Sequence, residues 1–553
     1  MEVSKLAVVV ALSVMHAHAQ LSPAADDIID MTYLVSPDSL YWPGLPGLKF
    51  TRVSRGPVNF GSGWYEDNDI CGQEHQCTHM DAPAHYSKGK WRVHQIPPHR
   101  FFGPAVRIDI SSQTAQNNEY NLQVEDVQKW EKENGPIPDN SILFIYTGWG
   151  KHHDNRTAYY GYEGTDSWLD ANGNPLPHFP ALSEDAAIWI SSNRKIWGVA
   201  TDGPSIGPSK TMMAHVPLFK KNIFILESVA NLDKLATTGD TVAALPLNIK
   251  DGGGAPLRLM AFKKARIRPG ADDVIDLSYP LSNDTVMWPG RTPFRLFFLV
   301  HGLTLIGNNT IWIETNSFCG SEHAGTHLDA PAHFIKGSWR THDIPAHTLI
   351  GPAVRVDMSK KAENNSDAVL TVQDLEDWEK KNGRIPDNAM VFLHTGWGKF
   401  VNDFEKYLGS KNRSHRVNDK GESFLHFPGF SGEAADWLVN NRKFIGVGID
   451  TASIDAGQTT SFPSHVAFLG AKKLVLQNVA NLDKLPNTGT TAFVFHMLHK
   501  DGSGAPTRVV AVKNSAISAG QVSSGVDVRP KLAAMMMSIV LILISCPSCA
   551  TYA

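Results

Sequence analysis

The sequence predicts two tandem α/β domains of similar size, because its recognisable motifs occur twice and in the same order along the 553 residues. Each half, at 24–266 and 270–514, is long enough to bury a hydrophobic core of its own. The matching segments are residues 26–30 and 272–276, 41–44 and 287–290, 147–150 and 395–398, 231–235 and 481–485, and 251–256 and 501–506. A repeat of this length indicates a duplicated globular unit and excludes a solenoid of short repeats.

Helix and strand signals alternate within the first half and support the α/β class. An amphipathic stretch ends at Gly135, a residue typical of a helix C-cap, and a short apolar run follows. Ser183 is an N-cap candidate, and the carboxylates of the next turn complement the helix dipole. The predicted elements are helices at 123–134, from 183, and at 215–221, with strands at 141–146, 196–201 and 222–229.

The overall composition is that of ordinary soluble domains, with 42% hydrophobic and 19% charged residues. The formal net charge is −4, whereas a nucleic-acid-binding domain normally carries a basic patch or stripe. A nucleic-acid partner is therefore not expected.

The N-terminus has the features of a secretory signal peptide over residues 1–19. Lys5 precedes an apolar run at 6–15, and a small-x-small cleavage pattern lies at 17–19. Five Asn-x-Ser/Thr sequons fit a secreted glycoprotein, at Asn155, Asn283, Asn308, Asn364 and Asn412. We therefore expect the chain in the secretory pathway and outside the cell.

A second apolar segment lies at the C-terminus, over residues 532–553, behind a polar spacer at 515–531. Small residues, spacer and apolar run follow the order of a signal that is exchanged for a lipid (GPI) anchor. The apolar run is short for a membrane span, which typically needs about 20 residues. Attachment to the outer cell surface through a lipid is the favoured interpretation, and a transmembrane tail stays open.

Three cysteines remain between these two ends: Cys71, Cys77 and Cys319. An odd number gives no sign of a disulfide framework. Cys71 and Cys319 occupy equivalent places in the two halves, and the simplest expectation is that both are small buried residues. A disulfide between Cys71 and Cys77 is the alternative, although it would distort the loop that follows.

The most informative motif is a loop of three histidines and one aspartate within eleven residues, present once in each half. Imidazole nitrogen and carboxylate oxygen together suit zinc or manganese. The polar positions have even offsets, so an extended segment would project them to one side. The positions are His75, His79, Asp81 and His85 in the first half and His323, His327, Asp329 and His333 in the second.

These loops resemble the signature of the cyclase-like metal-dependent hydrolases, the group that contains bacterial kynurenine formamidase and isatin hydrolase. Further matches follow each loop along the chain. In the first half they are Asp202, His215 and Glu227. In the second half they are Asp450, His465 and Gln477, so an amide replaces one carboxylate there.

The resemblance implies a swivelling β/β/α fold, usually dimeric, so the two halves would pair as an intrachain pseudo-dimer. It implies one or two Zn or Mn ions per domain and hydrolysis of a formamide or cyclic amide of small size. The implied metal ligands are His75, His79, Asp81, His215 and Glu227 in the first half and His323, His327, Asp329, His465 and Gln477 in the second. His85 and His333 would be the acid/base residues.

Elementary chemistry agrees with this assignment. A metal held by two histidines and an aspartate keeps open positions, so a coordinated water can attack a carbonyl carbon near neutral pH. A histidine beside the ligands can take the water's proton and return it to the leaving nitrogen. A non-catalytic metal or small-molecule binding protein on the same scaffold is the alternative.

Two departures distinguish the halves. Cys77 stands where the second half has Gly325, so the first loop is expected either to be distorted or to gain a thiolate ligand. Gln477 stands where the first half has Glu227, which favours a single metal in the second half. Eight other repeated residues are weaker candidates for function: His94, His178, His342, His426, Trp149, Trp397, Asp202 and Asp450.

Overall fold

The computed structural model describes residues 21–207 and 211–519. The predicted signal peptide and the apolar tail at 532–553 lie outside the described residues. Within the described part, no helix combines the length and the apolar character needed to cross a membrane.

The first half contains thirteen strands among the described residues, many of them short. They are β1 (Ile28–Asp30), β2 (Lys49–Pro57), β3 (Trp64–Gln73), β4 (His79–Asp81), β5 (Phe102–Asp109), β6 (Asn121–Leu122), β7 (Ile142–Tyr146), β8 (Ala181–Leu182), β9 (Gly198–Thr201), β10 (Phe224–Glu227), β11 (Thr241–Pro246), β12 (Gly254–Phe262) and β13 (Ala265–Ile267). Its α-helices are Ser111–Gln116, Val124–Asn134, Arg156–Tyr160, Glu184–Asn193 and His215–Lys220.

The second half repeats this order. Its strands are β14 (Val274–Asp276), β15 (Arg295–Ile306), β16 (Asn309–Ser321), β17 (His327–Asp329), β18 (Ile350–Asp357), β19 (Val369–Leu370), β20 (Met390–His394), β21 (Gly429–Phe430), β22 (Gly446–Ile449), β23 (Leu474–Gln477), β24 (Thr490–His496), β25 (Gly504–Lys513) and β26 (Ile517–Ala519). Its α-helices are Ser359–Glu363, Val372–Asn382, Phe404–Leu408, Gly432–Asn441 and Pro463–Gly470.

The predicted helices and strands of the first half are present with small shifts at their ends. Gln123 and Gly135 flank the helix Val124–Asn134, and Ser183 accepts a hydrogen bond from the amide of Ala186 as the cap of the next helix. These boundaries were predictable because capping residues act locally.

The principal sheet of each half closes on itself. In the first half the strand order is β1-β12-β11-β5-β7-β9-β10-β4, and β4 pairs back onto β12. In the second half β24 pairs with both β18 and β25, which closes the matching sheet. The strands β5, β7, β9 and β10 run parallel, as do their counterparts in the second half. Each half is thus a mixed α/β unit, as expected.

A separate four-stranded sheet joins the halves, in the order β15-β16-β3-β2. In this sheet, called here the shared sheet, β3 of the first half runs antiparallel to β16 of the second. The pairing places Cys71 opposite Cys319, and the two form a disulfide. The expectation of unpaired cysteines, with Cys71–Cys77 as the alternative, was therefore wrong, because the partner comes from the other half. Cys77 is buried and free.

The ends of the two halves also pair. Ala265–Ile267 (β13) runs antiparallel to Ile517–Ala519 (β26). The fold therefore extends to residue 519 and includes the first residues of the segment predicted as a polar spacer.

Candidate active sites

Each ligand loop combines a turn, a short strand and a 3-10 turn, so it is not one extended segment. His79 and Asp81 bound strand β4, and Pro83–His85 forms the 3-10 turn. Two residues after the first histidine of each loop, the backbone has a positive φ. This residue is Cys77 in the first half, with φ of 50°, and Gly325 in the second, with φ of 59°. Cys77 thus adopts the conformation of the glycine, and the loop backbone turns in the same way in both halves.

The first site brings together all five residues that were predicted as ligands in the first half. His75 Nδ1 lies 2.6 Å from Asp81 Oδ1, and His79 Nε2 lies 3.1 Å from the same oxygen. His215 Nε2 lies 3.2 Å from Glu227 Oε1 and 3.8 Å from Asp81 Oδ2. Asp81 therefore faces both groups and has the position of a bridge between them.

The strands explain this convergence. β4 pairs with β10 in an antiparallel register that sets His79 opposite Glu227. His215 is the first residue of the helix that leads into β10. Residues that are about 150 positions apart in the sequence are thereby held side by side in the buried wall of the sheet.

The second site has the same ligand loop but a different opposite wall. His323 Nδ1 lies 2.7 Å from Asp329 Oδ1, and His327 Nε2 lies 3.3 Å from that oxygen. Gln477 donates to Asp329 Oδ2 at 2.7 Å. His465 Nε2 is 3.3 Å from Asp329 Oδ2.

Asp455 is a buried carboxylate of the second site that was not predicted. Its Oδ2 lies 2.6 Å from Nδ1 of His465. In the first half the same position is Gly207, and Nδ1 of His215 instead pairs with the carbonyl of Met212. Alignment of the two halves could have found it, because Asp455 and Gly207 each lie two residues after an equivalent serine.

Several imidazoles are held in the tautomer that a metal requires. The Nδ1–H of His79 donates to the carbonyl of Cys77, and the Nδ1–H of His327 donates to the carbonyl of Gly325, both at 2.9 Å. A donating Nδ1 leaves the lone pair on Nε2 for coordination. Nε2 of His79 is buried and faces carboxylate oxygens of Asp81 and Glu227, at 3.1 and 3.5 Å. The donor set therefore fits a divalent cation.

The electrostatics of the first site favour positive charge between its carboxylates. Burial disfavours protonated His79, but Asp81 and Glu227 outweigh this effect and raise its pKa to about 10. Burial also disfavours ionised Asp81, yet the neighbouring His75 holds the pKa of Asp81 well below its usual range. In the second site, Asp329 similarly outweighs burial and raises the pKa of His323 to about 9. A divalent cation meets the same electrostatic demand.

Among the described residues there are four clusters of side chains, and within each cluster the potential ligand atoms lie within 4.8 Å of one another. They are His75, His79 and Asp81; Asp81, His215 and Glu227; His323, Asp329 and His333; and Asp67, Glu322 and His323. The first half thus has two clusters that share Asp81. No described cluster contains Cys77, so its thiol is not placed as a ligand.

The histidines predicted as acid/base residues are oriented by the opposite half of the chain. His85 Nδ1 lies 2.6 Å from the carbonyl oxygen of Glu314, which belongs to β16. His333 Nδ1 lies 2.5 Å from the carbonyl oxygen of Glu66, which belongs to β3. Each ring also lies against the first histidine of its loop, with centroids 4.0 Å apart at His75 and 4.2 Å apart at His323. Each site is therefore incomplete without the other half.

Salt bridges between the halves hold β3 and β16 in place beside these histidines. Arg92 of the first half binds the carboxylate of Glu314, and Arg340 of the second half binds the carboxylate of Glu66. Buried side-chain amides also form hydrogen bonds between the halves. Asn316 of the second half donates to Glu74 of the first, and Asn68 of the first half donates to Glu322 of the second. The two expected domains thus pair through a set of matched contacts.

The pocket walls differ between the sites. The first pocket has apolar and aromatic side chains over its ligands, among them Leu45, Trp168, Met212 and Ile313. The second has two arginines, Arg291 and Arg416, beside aromatic rings. The aromatic rings of the second pocket are Phe60, Tyr65, Trp288, Phe334 and Phe462.

The weaker candidates hold loops outside the pocket linings. His94 and His342 accept hydrogen bonds from the amides of Asp251 and Asp501. His178 pairs with Glu119, and His426 pairs with Asp367. Trp149 and Trp397 donate to the carbonyls of Tyr159 and Tyr407, while Asp202 and Asp450 accept from Thr147 and Thr395.

Comparison with known proteins connects this geometry to a family. The model of the Cyclase family matches residues 29–208 and 275–456, which is more than half of the chain and covers both ligand loops. The chain belongs to the Cyclase family. The two matched regions show that the family unit occurs in tandem.

Two curated proteins similar to this chain are named as hydrolases, and the aligned region makes up most of each. An isatin hydrolase of Roseibium aggregatum is 32% identical over 221 residues, which cover 38% of this chain and 80% of that protein. A kynurenine formamidase of Bacillus cereus is 28% identical over 237 residues, covering 42% of this chain and 94% of the relative.

Solved structures similar to this chain include isatin hydrolase A of Ralstonia solanacearum, at 33% identity and a TM-score of 0.38, over 43% of this chain and 91% of that one. Isatin hydrolase A of Labrenzia aggregata, bound to benzyl benzoate, is also 33% identical with a TM-score of 0.38, over 44% of this chain and 93% of the other.

Proposed function

We propose that the protein is a metal-dependent hydrolase that cleaves the C–N bond of a formamide or a cyclic amide. The observation that carries the proposal is the approach, in both halves, of two imidazoles to one carboxylate at a pocket beside a further, oriented imidazole. Isatin hydrolase and kynurenine formamidase as relatives support this choice of bond.

The cofactor in this proposal is a zinc or manganese ion. His75, His79 and Asp81 would hold one ion, and Asp81, His215 and Glu227 would hold a second. When bound, such an ion lowers the pKa of a coordinated water and polarises the substrate carbonyl. The donor types and their burial fit both metals, and metal supply often decides between the two.

The second half is proposed to hold one ion through His323, His327 and Asp329. Gln477 carries no charge and its amide nitrogen is directed at Asp329, so it is a poor partner for a second ion. His465 pairs with Asp455 at Nδ1, and its Nε2 lies 2.8 Å from Gln477.

His85 and His333 are proposed to move the proton. Because Nδ1 of each ring pairs with a backbone carbonyl, Nε2 carries the lone pair in the neutral ring. This nitrogen can take a proton from the attacking water and return it to the leaving nitrogen, which needs a proton because an amine anion is a poor leaving group. The proposal therefore gives each half a complete set of groups.

We also propose that the protein acts outside the cell. The signal-like residues 1–19 and a disulfide between the halves support this proposal, because disulfides persist in oxidising compartments. Release from cells by a phosphatidylinositol-specific phospholipase would support the lipid anchor. Retention, with the peptide 532–553 still present in the mature protein, would instead indicate a transmembrane tail.

The decisive experiment assays the purified full chain against formanilide and isatin before and after metal removal. We expect a chelator to abolish hydrolysis and added Zn or Mn to restore it. The double variant His79→Ala/His327→Ala should lose activity and most bound metal, because water replaces a lost imidazole poorly. His94→Ala/His342→Ala is the matched control, because these histidines lie outside the pocket linings. Metal binding without hydrolysis of any amide would indicate a non-catalytic binding protein.

A further inference from the structure

The walls of the two pockets differ in charge at equivalent positions. Trp168 and Arg416 each precede a short bridge to a following turn, Leu169 to Pro175 and Val417 to Ser423, and both line their pockets. Leu45 and Arg291 both follow a Trp-Pro-Gly motif and also line their pockets. The first site thus has apolar side chains where the second has two guanidinium groups.

Arg291 is not the free charge of the second pocket. It forms an ion pair with Asp67, which β3 contributes from the first half. Counting from the disulfide, the residue equivalent to Asp67 is Thr315, so the first pocket has an uncharged pair, Leu45 and Thr315, in the same place. The positive charge of Arg291 is therefore balanced by the negative charge of Asp67, and this part of the second wall carries no net charge.

Arg416 has no such partner. Its guanidinium carbon lies 5.4 Å from the ring centre of Phe60 and 4.9 Å from that of Phe462. No ion pair joins it to a carboxylate among the described residues, and its side chain is partly exposed in the pocket. Stacking on rings uses the faces of a guanidinium and leaves its N–H edge free to bind an anion in a bidentate way.

The position of Arg416 sets where that anion would lie. The ring of Phe462 is 5.7 Å from the ring of His465, which faces Asp329. Phe462 thus contacts both Arg416 and His465, which places the guanidinium beside the ligand cluster in the same pocket. In the first site Met212 stands at the position of Phe462, and Trp168 stands at the position of Arg416.

We propose that the two sites select substrates of different charge. The second site takes amides whose far end carries a carboxylate or a similar anion, bound by Arg416. The first takes uncharged aromatic amides, because its described lining contains no lysine or arginine. This inference rests on the proposed hydrolase function, and the experiment separates the failure of one from the failure of the other.

The test uses two probes of equal shape, 4-formamidobenzoate and the neutral 4-formamidobenzamide. His85→Ala silences the first site of the full chain, and His333→Ala silences the second. With the first site silenced, we expect kcat/KM for the anion to exceed that for the neutral probe by about 10-fold or more, as a charge-assisted hydrogen bond allows. With the second site silenced, the neutral probe should be preferred.

Exchange of the two wall residues tests the assignment to Arg416. In the chain with a silenced first site, Arg416→Trp should lower kcat/KM for the anion by about 10-fold or more relative to kcat/KM for the neutral probe, since it removes one charge-assisted contact. Arg416→Lys should keep part of the preference, because the charge remains but the bidentate edge is lost. Trp168→Arg, with the second site silenced, should shift preference toward the anion. Equal use of both probes by the two sites would overturn the inference and leave the hydrolase proposal intact.

Binding gives a readout that does not depend on turnover. Calorimetry with 4-nitrobenzoate and 4-nitrobenzamide should show binding of the anion that Arg416→Trp weakens about 10-fold or more, since one charge-assisted contact is lost. If no amide is cleaved but this difference is seen, the hydrolase proposal fails and the charge assignment stands. Anion binding that Arg416→Trp does not change would overturn the assignment.

Discussion

The two sites share a ligand loop and differ in the wall that faces it. The first loop histidine approaches the loop aspartate at 2.6 Å in the first site and 2.7 Å in the second. Opposite the loop, Glu227 of the first half is replaced by Gln477, and Asp455 appears behind His465. The comparison indicates that a duplicated site can keep the groups that approach a cation while its other groups change.

The second site has gained a carboxylate as well as lost one. A side chain at Gly207, the counterpart of Asp455, would place its Cβ 2.8 Å from the ring of His215. The first site therefore excludes the carboxylate position that the second uses. In the first site Asp81 and Glu227 both face the ligand cluster, whereas in the second Asp455 binds the outer nitrogen of His465.

Loss of the proton-transfer residue should have the largest effect on the comparison. His85→Ala and His333→Ala are each expected to lower turnover at their own site by about 10²–10⁴-fold, because a general acid/base typically contributes that much. The losses should be similar, since Cys77 leaves the first loop in the same conformation as Gly325 does the second. Rates with charge-matched probes and metal counts on the same samples would check this. Loss of metal in either variant would contradict an acid/base role.

Metal stoichiometry should separate the halves next. Glu227→Gln is expected to remove about one metal equivalent, since the second ion would lose a charged ligand. Gln477→Glu combined with Asp455→Gly should add about one in the second half, because it recreates the first arrangement there. Elemental analysis of purified protein would measure both. Gln373→Glu on an exposed helix is the control for added charge, and unchanged counts in the two site variants would refute the assignment.

Removal of the disulfide should weaken both sites together. Cys71→Ser/Cys319→Ser is expected to lower the free energy of unfolding by about 2–5 kcal/mol, as loss of a native disulfide typically does. Because β3 and β16 of the shared sheet orient His333 and His85, both sites should lose a comparable part of their activity. Denaturant titration and single-site assays would measure this. A reductant should have no further effect on the variant, and an activity loss confined to one half would contradict the shared role of the sheet.

The smallest expected effect concerns a buried histidine that only the second half has. Burial and the nearby Arg258 lower the pKa of His496 well below its usual value, with His499 contributing in the same direction. The unfolded chain takes up a proton near pH 6.5 and the folded chain does not, so this contribution to stability is present above pH 6.5 and is lost below it.

The matching variant is His496→Gln, because the first half has the non-titrating Pro246 at the equivalent position. When the pH falls from 6.5 to 5.5, the free energy of unfolding should decrease in both proteins. The decrease should be smaller in the variant than in the parent chain, by up to about 1.4 kcal/mol. Urea unfolding at several pH values would measure the difference. Identical slopes would show that His496 does not control this dependence.

The sequence predicted the features that depend on neighbours in the chain and on motif spacing. The cap residues Ser183 and Gly135 set helix ends locally, and the repeated loops predicted where His75 and His323 lie. The disulfide Cys71–Cys319 depends on strands that are 248 residues apart, and no local signal reports such a pairing. Asp455 lies between these two cases. Comparison of the two halves in the sequence reveals the substitution, but only the structure shows that Asp455 contacts His465.

The exchange of backbone carbonyls across the shared sheet limits how the two halves can diverge. Because Glu66 orients His333 and Glu314 orients His85, a half that stopped turning over substrate would still be needed as scaffolding for its neighbour. Truncation of either half would therefore disable both activities at once. Selection on one reaction is enough to preserve the entire tandem gene product, and the idle pocket would then be free to acquire a new specificity.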